Sequence, residues 1–216
     1  MHHARSTAPH FLSEAPARID ITGPSADNVG PPHNHPELSM TTNSHIGACL
    51  SRACDAFKRR PSAALQEDSP AVAVWDGALG TKLSHAAMPS LRTDMPPAMG
   101  GDGAAPSPGW YFRAGVASCL VTSIAMQAAM RGIALKRVEV EARSESDARG
   151  MLGIAPEVPA SPVRFWLTVT LEAHDTPQKA LRDLVEAAHS HSPMSGALRS
   201  PIDVAIDLRL ATAVGA

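Results

Sequence analysis

The longest hydrophobic pattern in the chain covers residues 109–131 and has no polar face. Over residues 114–130 small apolar residues dominate, and Gln127 is the one strongly polar side chain. A helix that is apolar on all sides is expected to be buried on all sides. We therefore predict a central helix wrapped by a sheet or by a partner helix, with Pro108 in its first turn and Gly132 just beyond its end.

Strands are predicted by a second pattern, in which apolar and polar residues alternate. It covers residues 137–143 and 163–172. Alternation buries one face of a sheet, which is typical of antiparallel pairing and unlike the continuous apolar run of a parallel sheet. Residues 202–210 alternate in the same way, and we predict a last strand there.

The remaining elements follow from turn and cap signals. We predict a helix over residues 44–60 with Ser44 as its N-cap, and an amphipathic helix over residues 176–190. Residues 71–84 predict a hairpin, whereas residues 86–108 are too rich in proline and glycine for long regular structure. The order of hairpin, buried helix, two strands, amphipathic helix and strand is typical of the α+β class.

Composition and charge narrow the function classes. The chain has 216 residues, enough for one domain or one domain with a tail. With 19 basic and 21 acidic residues it has a formal net charge of −2, and it lacks the broad basic field typical of nucleic-acid binding. We expect no membrane span, no signal peptide and no disulfide framework. These expectations favour a cytoplasmic protein that binds neither nucleic acid nor membrane.

The domain organisation begins with a segment of unusual composition. Residues 1–42 are rich in proline and histidine without an apolar period, so we predict a flexible tail. His33 and His35 resemble part of a metal site, but no second cluster of ligands accompanies them. We predict an N-terminal helical extension over residues 43–69 and the main domain over residues 70–216, with no cofactor and no metal.

The chain has three cysteines, of which Cys119 is the candidate for chemistry. Cys49 and Cys54 are five residues apart and would point about 140° apart on a helix, so they are interpreted as helical core residues. Cys119 lies within the predicted apolar helix. A reactive thiol there needs an electropositive and partly open setting, such as a nearby arginine.

Several short motifs, in their order and spacing, resemble the osmotically inducible protein C and organic hydroperoxide resistance family (OsmC/Ohr). The resemblance covers about residues 70–210, and the extension before it is similar to that of longer OsmC-like members. The motif residues are Asp94-x-Pro96-Pro97-x-x-Gly100-Gly101, Pro106-x-Pro108, Ala117-Ser118-Cys119-Leu120, Val138-Glu139-Val140, and Ser192-Pro193-Met194-Ser195 with Leu198 and Pro201.

The resemblance implies a fold and a chemistry. The implied fold is an intertwined homodimer in which curved antiparallel sheet wraps long central helices and the sites lie at the subunit interface. Active family members are thiol peroxidases that reduce organic hydroperoxides. A peroxidatic cysteine becomes a sulfenic acid, a second cysteine resolves it as a disulfide, and an external dithiol reduces that disulfide.

Carried onto this sequence, the family's site is only partly present. Cys119 matches the peroxidatic cysteine. Ser192 stands where the family has its resolving cysteine, and a serine hydroxyl cannot form the disulfide. Trp110 stands where the family has an acidic residue. Arg92 and Arg113 are candidates for the activating arginine, although a solvated surface role is the ordinary one for either residue.

Two functions therefore compete at the level of sequence. The first is a one-cysteine thiol peroxidase, with Cys119 resolved by an external thiol or by Cys49 or Cys54 of a partner subunit. The second is a peroxidase-inactive dimer that binds a small ligand or acts as a stress-associated module. A metal-binding module using His189 and His191 is a weaker third class, because residues two apart on a helix point about 200° apart.

Overall fold

The computed structural model describes residues 40–85, 87–200 and 202–210, so the tail predicted over residues 1–42 lies almost wholly outside the described residues. The first helix, α1 (Met40–Arg59), begins earlier than predicted and places Ser44 inside the helix instead of at its cap. Pro61 follows α1 and opens a short 3₁₀ turn, because its ring cannot continue the α-helical hydrogen bonds.

A three-stranded antiparallel sheet follows, formed by β1 (Val72–Trp75), β2 (Thr81–His85) and β3 (Met88–Thr93) in that order. β1 and β2 form the predicted hairpin. The segment over residues 86–108, predicted to lack long regular structure, contains one short strand, β3. This strand contains Pro89, which an edge strand tolerates because one side of its backbone needs no partner.

The central helix, α2 (Pro108–Met130), matches its prediction at both ends. At its start the Ser107 hydroxyl accepts a hydrogen bond from the Trp110 backbone N–H at 3.3 Å. At its end Gly132 adopts a positive φ of 68°, and the N–H groups of Gly132 and Ile133 donate to carbonyls of the last turn. This Schellman-type stop explains why glycine stands at that position.

The core forms where α2 packs between a two-stranded antiparallel sheet and a second helix. The sheet joins β4 (Leu135–Glu145) to β5 (Arg164–Ala173) and pairs Val140 with Val169. The buried residues of this core cluster are Leu120, Ile124, Ala128, Leu135, Val169, Leu184, Val185 and Ala188. The helices after β4 are α3 (Ala148–Met151), α4 (Gln178–Ser190) and α5 (Pro193–Arg199).

The surface of α2 is only partly covered within one chain, which corrects the prediction of burial on all sides. Phe112, Met126 and Met130 remain exposed. By length and composition α2 is also apolar enough to cross a membrane, contrary to our expectation, and 33% of its most apolar window is buried. Within the described residues α2 packs mainly against β4, α1 and α4.

The strand predicted over residues 202–210 is not formed within the single chain. These residues have no assigned strand or helix, and their apolar side chains are exposed, with Ile206 at 90%. A strand exists only when its backbone N–H and C=O groups pair with a neighbouring edge. No edge of the described chain takes that place.

The extension helix α1 packs against the C-terminal half of α2. The Asn43 side chain donates to the Ile133 carbonyl at 3.1 Å. A Cβ built at Gly47 would lie 2.8 Å from the Ala129 carbonyl oxygen, so glycine allows the close approach of the two helices. The interpretation of Cys54 as a core residue is wrong because its side chain is exposed, and Cys49 is only partly buried.

Candidate active site

The structure places Cys119 at the contact between α2 and α5. The residue is half-buried. Gly115, one turn earlier on α2, also lies at this contact. A Cβ built there would lie 3.6 Å from the Met194 methyl group of α5. The Met194 side chain of α5 thus packs beside the turn of α2 that carries Cys119.

Ser192 and Cys119, which lie 73 residues apart in the chain, are brought together at this contact. The Ser192 hydroxyl donates a hydrogen bond to the Cys119 sulfur across 3.3 Å. Ser192 is the N-cap residue of α5, yet its side chain caps no backbone N–H group. The residue is 1% exposed. Its hydroxyl is thus directed at the thiol instead of at its own helix.

Ser195, one turn further along α5, carries a second buried hydroxyl. It is 1% exposed, and its oxygen has no hydrogen-bond partner among the described residues. A buried hydroxyl without a partner destabilises a fold by about 1–3 kcal/mol. Sequence reasoning gave Ser195 no role, although its spacing of three residues from Ser192 places both side chains on one helix face.

Trp110 lies in the first turn of α2 and is 48% exposed. Its ring contacts Tyr111 edge-on with centroids 5.1 Å apart. Nine residues of helix separate Trp110 from Cys119, a rise of about 13 Å. In the single chain the tryptophan therefore neither contacts nor covers the thiol.

The two candidate arginines bind elsewhere within the chain. Arg92 lies on β3 and forms an ion pair with Asp76 at 2.7 Å. Arg113 donates from Nη1 to the Ser144 hydroxyl on β4 at 3.2 Å. Within residues 40–85, 87–200 and 202–210, no arginine hydrogen-bonds to the Cys119 sulfur, and Ser192 is its one hydrogen-bonding partner.

The motif that begins at Asp94 forms a loop that its own hydrogen bonds hold closed. The Asp94 carboxylate accepts backbone N–H groups of Met95, Asp102 and Ala104 at 2.8–3.1 Å. The bond from Ala104, together with those from the other two N–H groups, holds the pKa of Asp94 below its usual range despite the opposing effect of burial. A Cβ at Gly101 would lie 2.0 Å from the Met95 carbonyl oxygen, so this loop requires glycine there.

The histidines do not form a metal site in the part of the chain that the structure describes. No group of three or more His, Cys, Asp or Glu residues there could hold an ion. His189 lies 3.1 Å from Arg199, and burial together with that cation lowers the pKa of His189. The His191 ring lies 2.7 Å from the Ala187 carbonyl oxygen. His33 and His35 fall outside the described residues.

Comparison with known proteins identifies the family to which this α+β fold belongs. The family model described as OsmC-like protein matches residues 100–207, which is half of the chain. The chain belongs to this family. The α+β class and the antiparallel sheets predicted from the sequence are confirmed with it. No curated protein matches the sequence.

Several solved structures are similar to the chain. An OsmC-like protein from Mycoplasma pneumoniae is 10% identical with a TM-score of 0.54, covering 63% of this chain and 91% of its own. An OsmC-like protein from Vibrio cholerae O1 biovar eltor is 13% identical with a TM-score of 0.51, covering 61% and 94%. An organic hydroperoxide resistance protein from Legionella pneumophila is 26% identical with a TM-score of 0.46, covering 64% and 95%. The first two show the shared fold.

Proposed function

We propose that this protein is a one-cysteine thiol peroxidase in which Cys119 reduces organic hydroperoxides and an external thiol regenerates it. The observation that carries the proposal is the 3.3 Å contact between the half-buried Cys119 sulfur and the Ser192 hydroxyl. It supports a thiol that is hydrogen-bonded and reachable rather than enclosed by hydrocarbon. Family membership supports the reaction class. A cytoplasmic location, where thiols stay reduced, belongs to the same proposal.

The proposed reaction transfers one oxygen atom. The ionised Cys119 sulfur attacks the distal oxygen of the hydroperoxide, so an S–O bond forms and the O–O bond breaks. The hydroperoxide's proton passes to the departing oxygen, which leaves as the alcohol, and the sulfenate takes up a proton from solvent. The sulfur is oxidised to a sulfenic acid and the hydroperoxide is reduced. Because Ser192 cannot form a disulfide, an external thiol attacks the sulfur and releases water. A second thiol then reduces the mixed disulfide and restores Cys119.

The proposal is tested by mixing the reduced protein with tert-butyl hydroperoxide and a small thiol, and by measuring the hydroperoxide that remains. We expect several turnovers for each Cys119. Consumption no faster than with the thiol alone would favour the second candidate function.

That second candidate is a peroxidase-inactive OsmC-like dimer that binds a small ligand or acts as a stress-associated module. Two observations favour it. Trp110 replaces the acidic residue that the family resemblance implies, and in the described residues neither Arg92 nor Arg113 contacts Cys119. The first candidate remains the better supported because Cys119 is only half-buried and its sulfur receives a hydrogen bond from Ser192.

The site is proposed to be completed by a second copy of this chain. One chain leaves uncovered an apolar part of α2, the sheet β1–β3, where Trp75 is 74% exposed, and the alternating segment over residues 202–210. No helix of the described residues packs extensively on that sheet. The alternating segment needs a strand edge, and both sheets offer unpaired edges. We expect these exposed features to cover one another between two copies, and we expect the partner subunit to bring an arginine near Cys119.

The proposed dimer can be tested by its mass in solution and by a substitution that should dissociate it. We expect sedimentation velocity to give about twice the chain mass of 22.6 kDa. Ile206→Asp should shift the protein toward single chains, because it places a charge on the apolar face of the 202–210 segment. Ala205→Asp, on the other face of the same segment, is the matched control and should remain dimeric. A parent protein that sediments as one chain at micromolar concentration would contradict the dimer.

In domain terms, we propose that residues 70–216 form the OsmC-like domain and residues 43–69 a helical extension of it. The contacts of Asn43 and Gly47 with the end of α2 support a docked extension instead of a free linker. The site on α2 and α5 lies wholly within the proposed domain.

A further inference from the structure

The side chain of Arg199, at the end of α5, reaches back and closes the turn between α4 and α5. Its Nη1 donates to the His189 carbonyl oxygen at 3.3 Å, and its Nη2 donates to the Ser190 carbonyl oxygen at 3.3 Å. Both carbonyls belong to the last turn of α4, where backbone acceptors lack helical partners and a cation is favoured. Arg199 therefore ties the end of α5 to the end of α4.

This tie is connected to the candidate active site by hydrogen bonds. The His189 carbonyl oxygen that accepts from Arg199 also accepts from the Ser192 backbone N–H, at 3.4 Å. The Ser192 hydroxyl in turn donates to the Cys119 sulfur at 3.3 Å. Arg199 does not touch the thiol, but it holds the turn that carries the thiol's hydrogen-bond donor. It is a positioning residue for Ser192.

The His189 ring is a third acceptor for Arg199, and it accepts only in its neutral form. Nη1 of Arg199 lies 3.1 Å from Nε2 of His189. A guanidinium can only donate hydrogen bonds, so Nε2 is the unprotonated ring nitrogen and Nδ1 carries the hydrogen. Protonation of Nε2 removes this acceptor and places two cations in contact. Burial, together with the positive charge of Arg199, accordingly lowers the pKa of His189.

The other charges around the ring do not offset this repulsion. α4 packs against α2 and α5, and Arg199 is the only charged residue of α5. α2 brings Cys119 to its contact with α5, while its arginine, Arg113, donates to β4. On α4 itself Glu186 lies one turn before the ring, and His191 follows two residues after it. Within the described residues Arg199 is the one charge that acts on the ring.

We propose that His189 and Arg199 form a pH-sensitive clamp, which holds Ser192 on the Cys119 sulfur while His189 is neutral and releases it when His189 is protonated. The clamp needs no peroxidase activity, whereas its consequence for hydroperoxide reduction rests on the proposed function. Because the pKa of His189 is lowered, the folded chain holds this proton less tightly than the unfolded chain. The clamp therefore stabilises α5 fully above about pH 6.5 and loses that stabilisation as the pH falls further.

Hydrogen–deuterium exchange of α5 measures the clamp directly. The parent is compared with His189→Gln at the same pH, so the intrinsic pH dependence of exchange cancels. Glutamine keeps an oxygen acceptor for Arg199 but does not titrate. We expect equal exchange at about pH 8 and about threefold faster exchange of the parent at about pH 5, the order of effect of losing one hydrogen bond.

Two further variants are the controls, and circular dichroism establishes that each is folded at both pH values. Arg199→Ala removes the clamp and should exchange fast at either pH. His191→Gln changes an exposed histidine on the same turn and should keep the pH response of the parent. Equal exchange of the parent and His189→Gln at every pH, or loss of the response in His191→Gln, would overturn the inference.

Labelling of Cys119 by a methanethiosulfonate reagent, followed by mass spectrometry, tests the connection to the thiol. Ionisation of the thiol affects the parent and His189→Gln alike, so the ratio of their rates isolates the clamp. We expect this ratio to fall about threefold between about pH 8 and about pH 5, because the thiolate loses the Ser192 donor. A constant ratio would overturn the inference. A falling ratio in a protein that forms no sulfenic acid at Cys119 would support the clamp and eliminate the proposed function.

Discussion

Replacing Cys119 with serine is expected to reduce hydroperoxide consumption to the rate of the small thiol alone. A serine hydroxyl is scarcely ionised near neutral pH and is a far weaker nucleophile than a thiolate, so the attack on the O–O bond does not occur. The substitution is nearly isosteric, and the Ser192 hydroxyl can still donate to the new oxygen. Stopped-flow or colorimetric measurement of the remaining hydroperoxide gives the rate.

Two other cysteine variants serve as controls for this result. Cys54→Ser changes an exposed thiol on α1, and Cys49→Ser a partly buried one on the same helix. Both should consume hydroperoxide at the parent rate if an external thiol resolves the sulfenic acid. Slow turnover in one of them, with normal oxidation of Cys119, would instead identify that cysteine as the resolving thiol. Unchanged consumption by Cys119→Ser would eliminate the thiol peroxidase.

The second large effect is expected from Ser192→Cys, which should create an oxidisable pair with Cys119. The present Oγ to Sγ distance is 3.3 Å. A disulfide needs its sulfurs about 2.05 Å apart, so a small rotation of the two side chains closes the gap. After one equivalent of hydroperoxide we expect a disulfide that links α2 to α5, in place of the sulfenic acid that the parent forms.

Intact-mass and peptide analysis under non-reducing conditions measures this linkage. Ser190→Cys is the matched control, because it adds an exposed thiol at the end of α4 and should leave Cys119 as a trappable sulfenic acid. A Ser192→Cys protein that accumulates sulfenic acid at Cys119 without forming the disulfide would contradict the geometry proposed for this site.

The sequence predicts the core of this fold because the core has strong periodicity. The apolar helix, the two alternating strands and the amphipathic helix appear as α2, β4, β5 and α4. Local turn chemistry also predicts the end of α2, since Gly132 can adopt a positive φ. These signals are local, so a single sequence carries them.

The elements that the sequence does not predict correctly depend on contacts between residues far apart in the chain. β3 lies in a segment rich in proline and glycine, and only its pairing with β2 makes it a strand. The predicted strand over residues 202–210 has the right alternation but lacks an edge within one chain. The start of α1 precedes Ser44, because neighbouring residues continue the helix without that cap.

For the candidate site, too, the sequence indicates some of the residues but not the contacts between them. Cys119 stands out in the sequence as a lone thiol in an apolar helix. Only the family resemblance indicates Ser192, which lies 73 residues away, as a second residue of the site. No periodicity predicts that these residues meet. Ser195 was missed because an unpartnered hydroxyl is a property of packing. The contacts of Arg92 and Arg113 likewise depend on strands far away in the chain.

The most direct test of the account is mass spectrometry of all three cysteines after graded exposure to an alkyl hydroperoxide, with dimedone present to trap sulfenic acid. We expect Cys119 to be labelled first, within seconds and at about one equivalent, while Cys49 and Cys54 remain unmodified. Labelling of the exposed Cys54 before Cys119, or no label at Cys119 at any dose, would show that this OsmC-like protein does not use that thiol as a redox centre.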